Sequence, residues 1–277
     1  MLVVAFLACW FYARRRAMAA GLEVSHADLA VPLVFITSLI GAEIITVIIP
    51  GDAEFAGELY QARSRFRLFG LFFVAVPTLF AYSWLAKIPF RSLLDLFALP
   101  VVLWLAILRL GCFMAGCCWG DLSLEDPGLK DVADPQLMIQ VNTLPWLTGE
   151  WMNTAVSFPV GSFAYLQHVA LGLVEPGAAS SLPVHPTQLY ELVLLIMWLM
   201  VLRHLERQGP TEGMIALIAI AGYAVLRFFI EFLRADNPLV LGQLTSTQLI
   251  CIALLFGSAA GISLWKRSPA SPLHRDM

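Results

Sequence analysis

Apolar runs separated by shorter polar segments occupy most of this 277-residue chain. The longer runs approach the roughly 20 residues that a helix needs to cross a bilayer. They cover residues 29–49, 68–86, 93–110, 187–202, 213–233 and 247–265. With the run at 1–13 counted as a further span, the pattern predicts an all-α membrane protein. We expect one transmembrane domain over 1–277, built as a bundle of about seven helices.

The run at 1–13 is shorter than the others and is followed by Arg14, Arg15 and Arg16. A cleaved signal peptide carries its positive charge before its apolar region, which is the reverse of the order here. We therefore interpret this run as a first spanning helix whose start is clipped or mis-assigned.

A long segment at 121–186 separates the fourth and fifth predicted spans. It is mixed in composition and rich in proline, and it contains Trp146 and Trp151 with several acidic residues. We interpret it as an external segment that packs at the membrane interface.

The basic residues sort unevenly between the two sides of the predicted bundle. With seven spans and an external N-terminus, the cytoplasmic side receives Arg14, Arg15, Arg16, Lys87, Arg91, Arg203, Arg207, Lys266, Arg267 and Arg275. The external side receives fewer, although Arg63, Arg65 and Arg67 fall there. Cytoplasmic loops carry the excess of Lys and Arg in membrane proteins. The distribution predicts an external N-terminus and a cytoplasmic C-terminus.

Composition agrees with a membrane protein, because 59% of the residues are hydrophobic and only 13% are charged. A soluble domain has about 25% charged residues. The net charge of −3 gives no sign of a nucleic-acid partner. We expect the lipid bilayer to be a partner and expect no cofactor.

Arg109 ends the fourth apolar run and opens a glycine-rich stretch. An arginine at such a place is costly unless an anion meets it. Gly111, Gly116 and Gly120 permit tight turns and the close approach of a ligand, and backbone N–H groups freed at turns favour anions. The alternative is that Arg109 only extends to the membrane interface.

A second charged group lies inside the sixth run. Tyr223, Arg227 and Glu231 are spaced by four residues and so share one helix face. Intramembrane charges mark functional sites by default, which leads us to expect that Arg227 faces the same cavity as Arg109 and holds a lipid phosphate with it. A purely structural ion pair between Arg227 and Glu231 is the alternative.

A polar stretch from His185 to Glu191 enters the fifth span. Gln188 and Glu191 follow His185 by three and six residues, so the three share roughly one stripe of the helix. Glu191 lies near the outer end of an apolar helix, where a carboxylate requires a partner. His185 could equally be a simple helix cap.

Three of the five cysteines, Cys112, Cys117 and Cys118, are clustered. Zinc sites favour two cysteines two to four residues apart together with a second such pair or a histidine pair. The spacing here lacks that pattern, so we predict no metal site. A redox role is open, and small residues packing a turn is the interpretation we prefer.

These stretches resemble the prolipoprotein diacylglyceryl transferase family. The family's first motif begins with Arg-Leu/Ile-Gly and ends near Trp-Gly, as here from Arg109 to Trp119 and Gly120. Its His-Pro-Ser-Gln-Leu-Tyr-Glu motif matches 185–191 with Thr187 in place of Ser. A third motif matches Gly222, Tyr223, Arg227, Phe228, Glu231, Phe232 and Arg234. The resemblance covers nearly the whole chain.

The chain departs from the family at several positions. Cys112, Ala115 and Cys117 stand where the family has Asn residues and a Glu, and Asp121 stands where it has Arg. An Arg of the second span corresponds to Glu43. The third-span His-Gly-Gly of the family, whose histidine is important for activity, has no histidine here.

The resemblance implies transfer of a diacylglyceryl group from phosphatidylglycerol to the thiol of a lipoprotein precursor, at a bacterial inner membrane. The partners implied are phosphatidylglycerol and the precursor's signal peptide. The catalytic candidates are Arg109, Arg227, Glu231, His185 and Tyr223, with His185 or Glu231 as the general base. The substrate-binding candidates are Gly111, Gly116, Trp119, Gly120, Gln188, Tyr190, Glu191 and Arg234.

Three other functions stay open at this stage. A divergent relative could use another acceptor or have no activity. A membrane thiol oxidoreductase would use Cys112, Cys117 and Cys118. A transporter would show an internal symmetry of hydropathy, which the sequence lacks.

Overall fold

The computed structural model of the chain describes residues 1–48, 74–120, 154–234, 239–242 and 244–265. Helices dominate this part of the chain. They are α1 (Leu2–Ala19), α2 (Val24–Ile48), α3 (Val74–Ala86), α4 (Phe90–Ala115), α5 (Phe163–Ala170), α6 (Thr187–Glu206), α7 (Met214–Glu231) and α8 (Ser246–Trp265). Two short strands, β1 (Leu239–Leu241) and β2 (Leu244–Thr245), form an antiparallel hairpin between α7 and α8.

Five of the described helices are long and apolar enough to cross a membrane. They are α2, α4, α6, α7 and α8, and α3 is a shorter apolar helix. The protein is therefore an all-α membrane protein. The larger number of seven spans stays a prediction, because α1 includes the three arginines and residues 68–73 lie outside the described part.

Several helices extend beyond the spans predicted from hydropathy. The helix α4 continues past Leu110 and includes Gly111 and Cys112, so the predicted turn begins later, at Gly116. The helices α1 and α6 likewise run beyond residues 13 and 202. Charged and small residues at these ends are compatible with helix, and hydropathy alone cannot detect them.

The chain divides into two compact units. The first contains Met1, Leu105–Met197 and Ile220–Gly257, and the second contains Leu2–Trp104, Trp198–Ala219 and Ser258–Met277. The helices α4, α6, α7 and α8 each have one end in the first unit and the other end in the second.

The core of the second unit joins α1 to α2 through small side chains. Ala13, Ala17, Ala27 and Ala30 are fully buried there. Small residues allow helix backbones in membranes to approach closely. Packing of α1 on α2 is therefore the contact that fixes the N-terminal part of this unit.

Arg16 of α1 contacts α4 and α6 within the second unit. Arg16 donates to the carbonyl oxygens of Asp95 at 2.8 Å and Leu96 at 3.0 Å, and it pairs with the buried Glu206. Arg203 donates to the hydroxyl of Tyr12 at 3.4 Å. Two of the basic residues predicted to be cytoplasmic, Arg16 and Arg203, thus make contacts within the second unit.

The carboxylate of Asp95 caps the start of α7. Its oxygens accept from the backbone N–H groups of Gly213 at 2.6 Å and Ala216 at 2.8 Å. The first N–H groups of a helix have no partner within the helix, and a carboxylate stabilises that end. This fully buried carboxylate therefore has a structural function.

The described part of the predicted external segment, 154–186, folds within the first unit. Ser162 caps α5 by accepting from the N–H of Tyr165 at 3.2 Å. Isolated bridges pair Val156 with Val184 and Pro159 with Ser180. The short helix and the hairpin β1–β2 were not predicted, because both are too short to give a hydropathy signal.

Some predictions lie outside the described residues. They concern 121–153, the group Arg63, Arg65 and Arg67, and the basic residues Lys266, Arg267 and Arg275.

Candidate active site

A tight turn follows α4 and carries most of the first motif. The helix ends where Gly116, with φ of 65°, and Cys118, with φ of 61°, adopt left-handed backbone conformations. Such values suit glycine, but they are uncommon for a residue with a Cβ. The predicted turn at Gly116 is confirmed, whereas Gly111 is helical.

The first residues of α6 hold this turn in place. Thr187 Oγ1 donates to the carbonyl of Cys118 at 2.8 Å, and Gln188 Nε2 donates to the carbonyl of Cys117 at 2.6 Å. The N–H of Gly120 donates to the carbonyl of His185 at 2.8 Å. The first two family motifs therefore meet through hydrogen bonds to backbone carbonyls.

The space beside Gly120 is occupied by protein. A Cβ at this position would lie 2.6 Å from Thr187 Cγ2, 2.7 Å from the carbonyl oxygen of Leu233 and 2.8 Å from that of His185. Gly120 also bridges to Arg234. The prediction was the close approach of a ligand, whereas the groups that lie close to this glycine are protein, including the carbonyls of His185 before α6 and Leu233 after α7.

A single carboxylate joins the two arginines singled out from the sequence. Arg109 Nη2 lies 3.0 Å from Glu191 Oε1, and Arg227 Nη1 lies 3.5 Å from Glu191 Oε2. All three residues are buried, with Glu191 only 2% exposed. The arginines of α4 and α7 thus come together at α6, with the carboxylate between them.

A second carboxylate continues the cluster on α7. Arg227 Nη2 lies 2.7 Å from Glu231 Oε2, and Thr245 Oγ1 donates to Glu231 Oε1 at 2.8 Å. Arg234, also buried, interacts electrostatically with Glu231. Three guanidinium groups and two carboxylates leave the cluster with one net positive charge.

Tyr223 belongs to the same group of residues. Its hydroxyl lies close enough to Glu191, Arg109 and Arg227 for electrostatic interaction with each. The predicted face of α7 carries Tyr223, Arg227 and Glu231. Tyr223 and Arg227 on this face interact with the carboxylate of Glu191 in α6.

His185 precedes α6 and is 5% exposed. Its Nδ1 lies 3.3 Å from the hydroxyl of Tyr190, which also hydrogen-bonds to the hydroxyl of Thr154. Burial lowers the pKa of His185, because a cation is costly away from water. The imidazole is consequently neutral at neutral pH and able to accept a proton.

Comparison with known proteins shows the family. The family model for prolipoprotein diacylglyceryl transferase matches residues 1–264. The chain belongs to the prolipoprotein diacylglyceryl transferase family. A phosphatidylglycerol–prolipoprotein diacylglyceryl transferase of Methylococcus capsulatus is 26% identical over 93% of this chain and 86% of its own length. Enzymes of the same name are 25% identical in Treponema denticola, over 64% of this chain and 54% of theirs, and 32% identical in Azotobacter vinelandii, over 34% and 37%.

Membership of this family makes the chain a transferase of a bacterial membrane. The residues that carry the resemblance, Arg109, Glu191, Arg227 and Glu231, form the buried ion-pair cluster. Its local chemistry suits a ligand with negative charge, because a guanidinium group has five N–H donors and Arg109 pairs with one carboxylate oxygen and Arg227 with two.

Trp119 packs into a small apolar core of this family member rather than against the charged cluster. It is 2% exposed and lies edge-on to the ring of His168, with ring centroids 4.8 Å apart. Phe158, Ala164 and Val184 complete the core. Burial lowers the pKa of His168 to about 4, so its imidazole is neutral, with Nδ1 accepting from the N–H of Leu182 at 3.2 Å.

The three clustered cysteines are free thiols, and their sulfur atoms lie within 4.8 Å of one another. Hydrogen bonds from the thiols of Cys112 and Cys117, helped by the charges of Arg234 and Arg109, hold the pKa of Cys118 well below its ordinary value. Hydrogen bonds with Cys112 and Cys118, together with burial, raise the pKa of Cys117. Cys118 is therefore the most acidic thiol of the turn.

Sequence reasoning underestimated Glu191. The spacing from His185 placed it among substrate-binding residues, whereas the structure places it between Arg109 and Arg227. The signal was present, because a carboxylate near the end of an apolar helix requires a cation, and the chain has two arginines in comparable positions. Thr187 and Thr245 were also missed, since their contacts depend on tertiary structure.

Proposed function

We propose that this transferase moves the diacylglyceryl group of phosphatidylglycerol to the cysteine thiol of a lipoprotein precursor. The names of its relatives support this donor and acceptor. The observation that carries the proposal is the pairing of Arg109 and Arg227 with one buried carboxylate, because it places two guanidinium groups at the same point of an apolar bundle.

The reaction exchanges a carbon–oxygen bond for a carbon–sulfur bond. The thiolate sulfur of the precursor attacks the glycerol carbon that carries the phosphodiester, and the bond from that carbon to the phosphate oxygen breaks. The bonding electrons leave with glycerol phosphate. The thiol proton goes to a general base, since the thiolate is the effective nucleophile.

Arg109 and Arg227 stabilise the charge that develops on the leaving phosphate. Preorganised donors contribute most where water is excluded, and Glu191 fixes both guanidinium groups before the lipid binds. Tyr223 adds a phenolic donor at the same point. The net positive charge of the cluster is neutralised by a phosphodiester.

His185 is the better of the two candidates for the general base. Glu231 already pairs with Arg227 and accepts from Thr245, so both of its carboxylate oxygens have partners. The imidazole of His185 is neutral and has one ring nitrogen towards Tyr190. We therefore assign proton removal to His185 and a positioning role to Glu231.

The remaining candidates define where substrate would lie. Gln188 and Tyr190 share the start of α6 with His185, and Arg234 follows α7 beside the cluster. Gly116 and Gly120 belong to the turn after α4, Trp119 anchors that turn in the apolar core, and Gly111 lies near the end of α4. In this arrangement the lipid enters from the bilayer and the signal peptide approaches from outside.

We also propose the seven-span topology, with the N-terminus outside and the C-terminus in the cytoplasm of a bacterial inner membrane. Its support is the asymmetry of Lys and Arg, and the grouping of Arg16, Arg203 and Glu206 in the second unit. The segment 121–186 is then external.

Purified protein, vesicles containing phosphatidylglycerol and a precursor peptide test the proposal. The expected result is a lipidated peptide and one glycerol phosphate released per transfer. Arg109→Ala and His185→Gln should each reduce the rate by at least about 100-fold, given the usual size of electrostatic and acid–base contributions. The exposed Arg207→Ala is the matched control and should leave the rate unchanged.

A folded protein that releases no glycerol phosphate with any thiol peptide would overturn this function. Such a result would favour a divergent relative without the activity. Release with a different acceptor thiol would keep the donor and change the acceptor.

A further inference from the structure

The cluster of Cys112, Cys117 and Cys118 has no role in the transfer proposed above. Cys112 lies on the last turn of α4, and the other two lie on the turn that follows. Their sulfur atoms lie within 4.8 Å of one another, and none of the three is in a disulfide. Three free thiols at this separation can converge on one ion.

The separation is close to that of sulfurs that share a metal. A zinc–sulfur bond is about 2.3 Å long, so two sulfurs of a tetrahedral site lie about 3.8 Å apart. Reaching this distance from the observed upper limit of 4.8 Å requires only small rotations about the side-chain bonds of the cysteines.

The backbone of the turn is held in the form that gathers these sulfurs. Cys118 has φ of 61°, and a residue with a Cβ in this region persists only where its surroundings determine it. The surroundings are the hydrogen bonds from Thr187 and Gln188 to the carbonyls of Cys118 and Cys117. The site is therefore built by α6 as well as by the turn.

Charge compensation favours the bound form. Arg109 and Arg234 both lie close enough to Cys118 to interact electrostatically with its sulfur. Three thiolates around a monovalent ion carry a net charge of −2, and the two nearby guanidinium groups offset part of it, since each also interacts with a carboxylate. Without such cations, a trithiolate would be costly to bury.

We propose that Cys112, Cys117 and Cys118 bind one soft d¹⁰ cation as a trithiolate site, and that monovalent copper fits it best. Soft thiolates select copper(I) and zinc. Among the described residues, no histidine or carboxylate joins the group. Structural zinc is almost always four-coordinate, so zinc would need a water ligand here, whereas copper(I) accepts three sulfurs. Binding releases the thiol protons to solvent.

Anaerobic titration of the reduced full-length protein in detergent tests the site. Copper(I) is supplied from a chromophoric copper(I) chelator in one arm, and zinc is supplied with a competing zinc chelator in the other. We expect one equivalent of copper(I) per chain and three sulfur neighbours by X-ray absorption spectroscopy. Tighter binding of zinc with the same dependence on the three cysteines supports the trithiolate site but overturns the preference for copper.

Each cysteine of the cluster is replaced by alanine in turn. Substitution of a residue that contacts a metal ligand weakens metal binding by roughly 10- to 100-fold. Loss of a ligand itself should weaken copper(I) binding by more than that. Cys9→Ala and Cys251→Ala are the matched controls, because both remove a thiol elsewhere in the chain, and they should leave binding unchanged. In wild type, bound copper(I) should also protect Cys112, Cys117 and Cys118 from alkylation, located by mass spectrometry, which tests the site where a variant does not fold.

Several results overturn the proposal. They are the absence of stoichiometric binding by the reduced protein, retention of affinity within tenfold in the variants of the cluster, or failure of copper(I) to protect the three thiols. A disulfide within the cluster in the isolated protein, with no metal bound after reduction, would instead indicate a thiol redox pair. None of these outcomes depends on transferase activity.

Discussion

Arg109 and Arg227 contact opposite oxygens of the Glu191 carboxylate, at 3.0 Å and 3.5 Å. The two arginines belong to different helices, so the carboxylate determines both the distance between them and their orientation. A buried ion pair contributes little net stability by itself, so stability alone does not explain three charges buried together.

Glu191→Gln should reduce both stability and activity. Removing one partner of a buried ion pair costs about 3–5 kcal/mol, and here the change leaves Arg109 and one nitrogen of Arg227 without their anion. Thermal unfolding in detergent measures the first effect and glycerol phosphate release the second. The exposed Glu175→Gln should change neither. An unaltered unfolding temperature for Glu191→Gln would contradict the central position of this carboxylate.

Arg227→Lys should abolish most of the activity although the charge is kept. Arg227 uses Nη1 for Glu191 and Nη2 for Glu231, and an ammonium cannot reproduce a rigid two-nitrogen fork. We expect a rate loss of at least about 100-fold, from the contribution of a single preorganised donor. Arg207→Lys serves as the control, and wild-type turnover by Arg227→Lys would show that only its charge is used.

Gly120→Ala should destabilise the first unit. The added Cβ would lie within 2.8 Å of three atoms, two of which are backbone carbonyl oxygens, so the turn or the start of α6 must shift. Overpacking of this kind costs about 1–3 kcal/mol. The measurement is the unfolding temperature, with Gly257→Ala in α8 as the control because a Cβ there meets open space. Equal unfolding temperatures for the two variants would argue against the packing described.

Acid should weaken the packing of α5. Burial lowers the pKa of His168 to about 4, below the ordinary value near 6.5. A histidine of this kind binds fewer protons when folded, so stability is complete above about pH 6.5 and falls as the pH decreases towards 4. Hydrogen exchange of the α5 amides from pH 7 to pH 4.5 measures the effect.

His168→Phe is the matched variant for that pH dependence. It keeps an aromatic ring beside Trp119 but has no titrating group, so exchange should lose most of its extra acid sensitivity. An identical pH profile in the variant and in wild type would assign the effect to another group.

Hydropathy was sufficient for the helices α2, α4, α6, α7 and α8, because each is a long apolar run. It could not detect α5 or the hairpin β1–β2, because both are short. The helix α5 is also held by a contact distant in sequence, from the N–H of Ala164 to the carbonyl of Gly116 at 2.9 Å. The spacing of Tyr223, Arg227 and Glu231 correctly gave a common face, since helix periodicity is local. The place of Glu191 between two arginines depends on the packing of three helices, which no local pattern contains.

The proximity of the sulfur atoms of Cys112, Cys117 and Cys118 could not be predicted from the sequence either. Their spacing lacks a known metal pattern, and sequence reasoning therefore favoured simple packing. The separation of the sulfurs depends on the left-handed conformation of Cys118, and that conformation depends on hydrogen bonds from Thr187 and Gln188. Three-dimensional structure is required to detect such a cluster.

Arg16 is among the residues from which orientation in the bilayer is predicted, and it also pairs with Glu206 and donates to the carbonyls of Asp95 and Leu96. The side chain of Arg16 thus contributes to the predicted orientation and also makes contacts in the folded protein. Reversing the charge of Arg16 would remove these contacts as well as change the charge that favours one orientation. An inverted signal from a topology reporter would then not distinguish a changed orientation from damaged packing of α1. Topology in this chain is more safely mapped with the exposed Arg207.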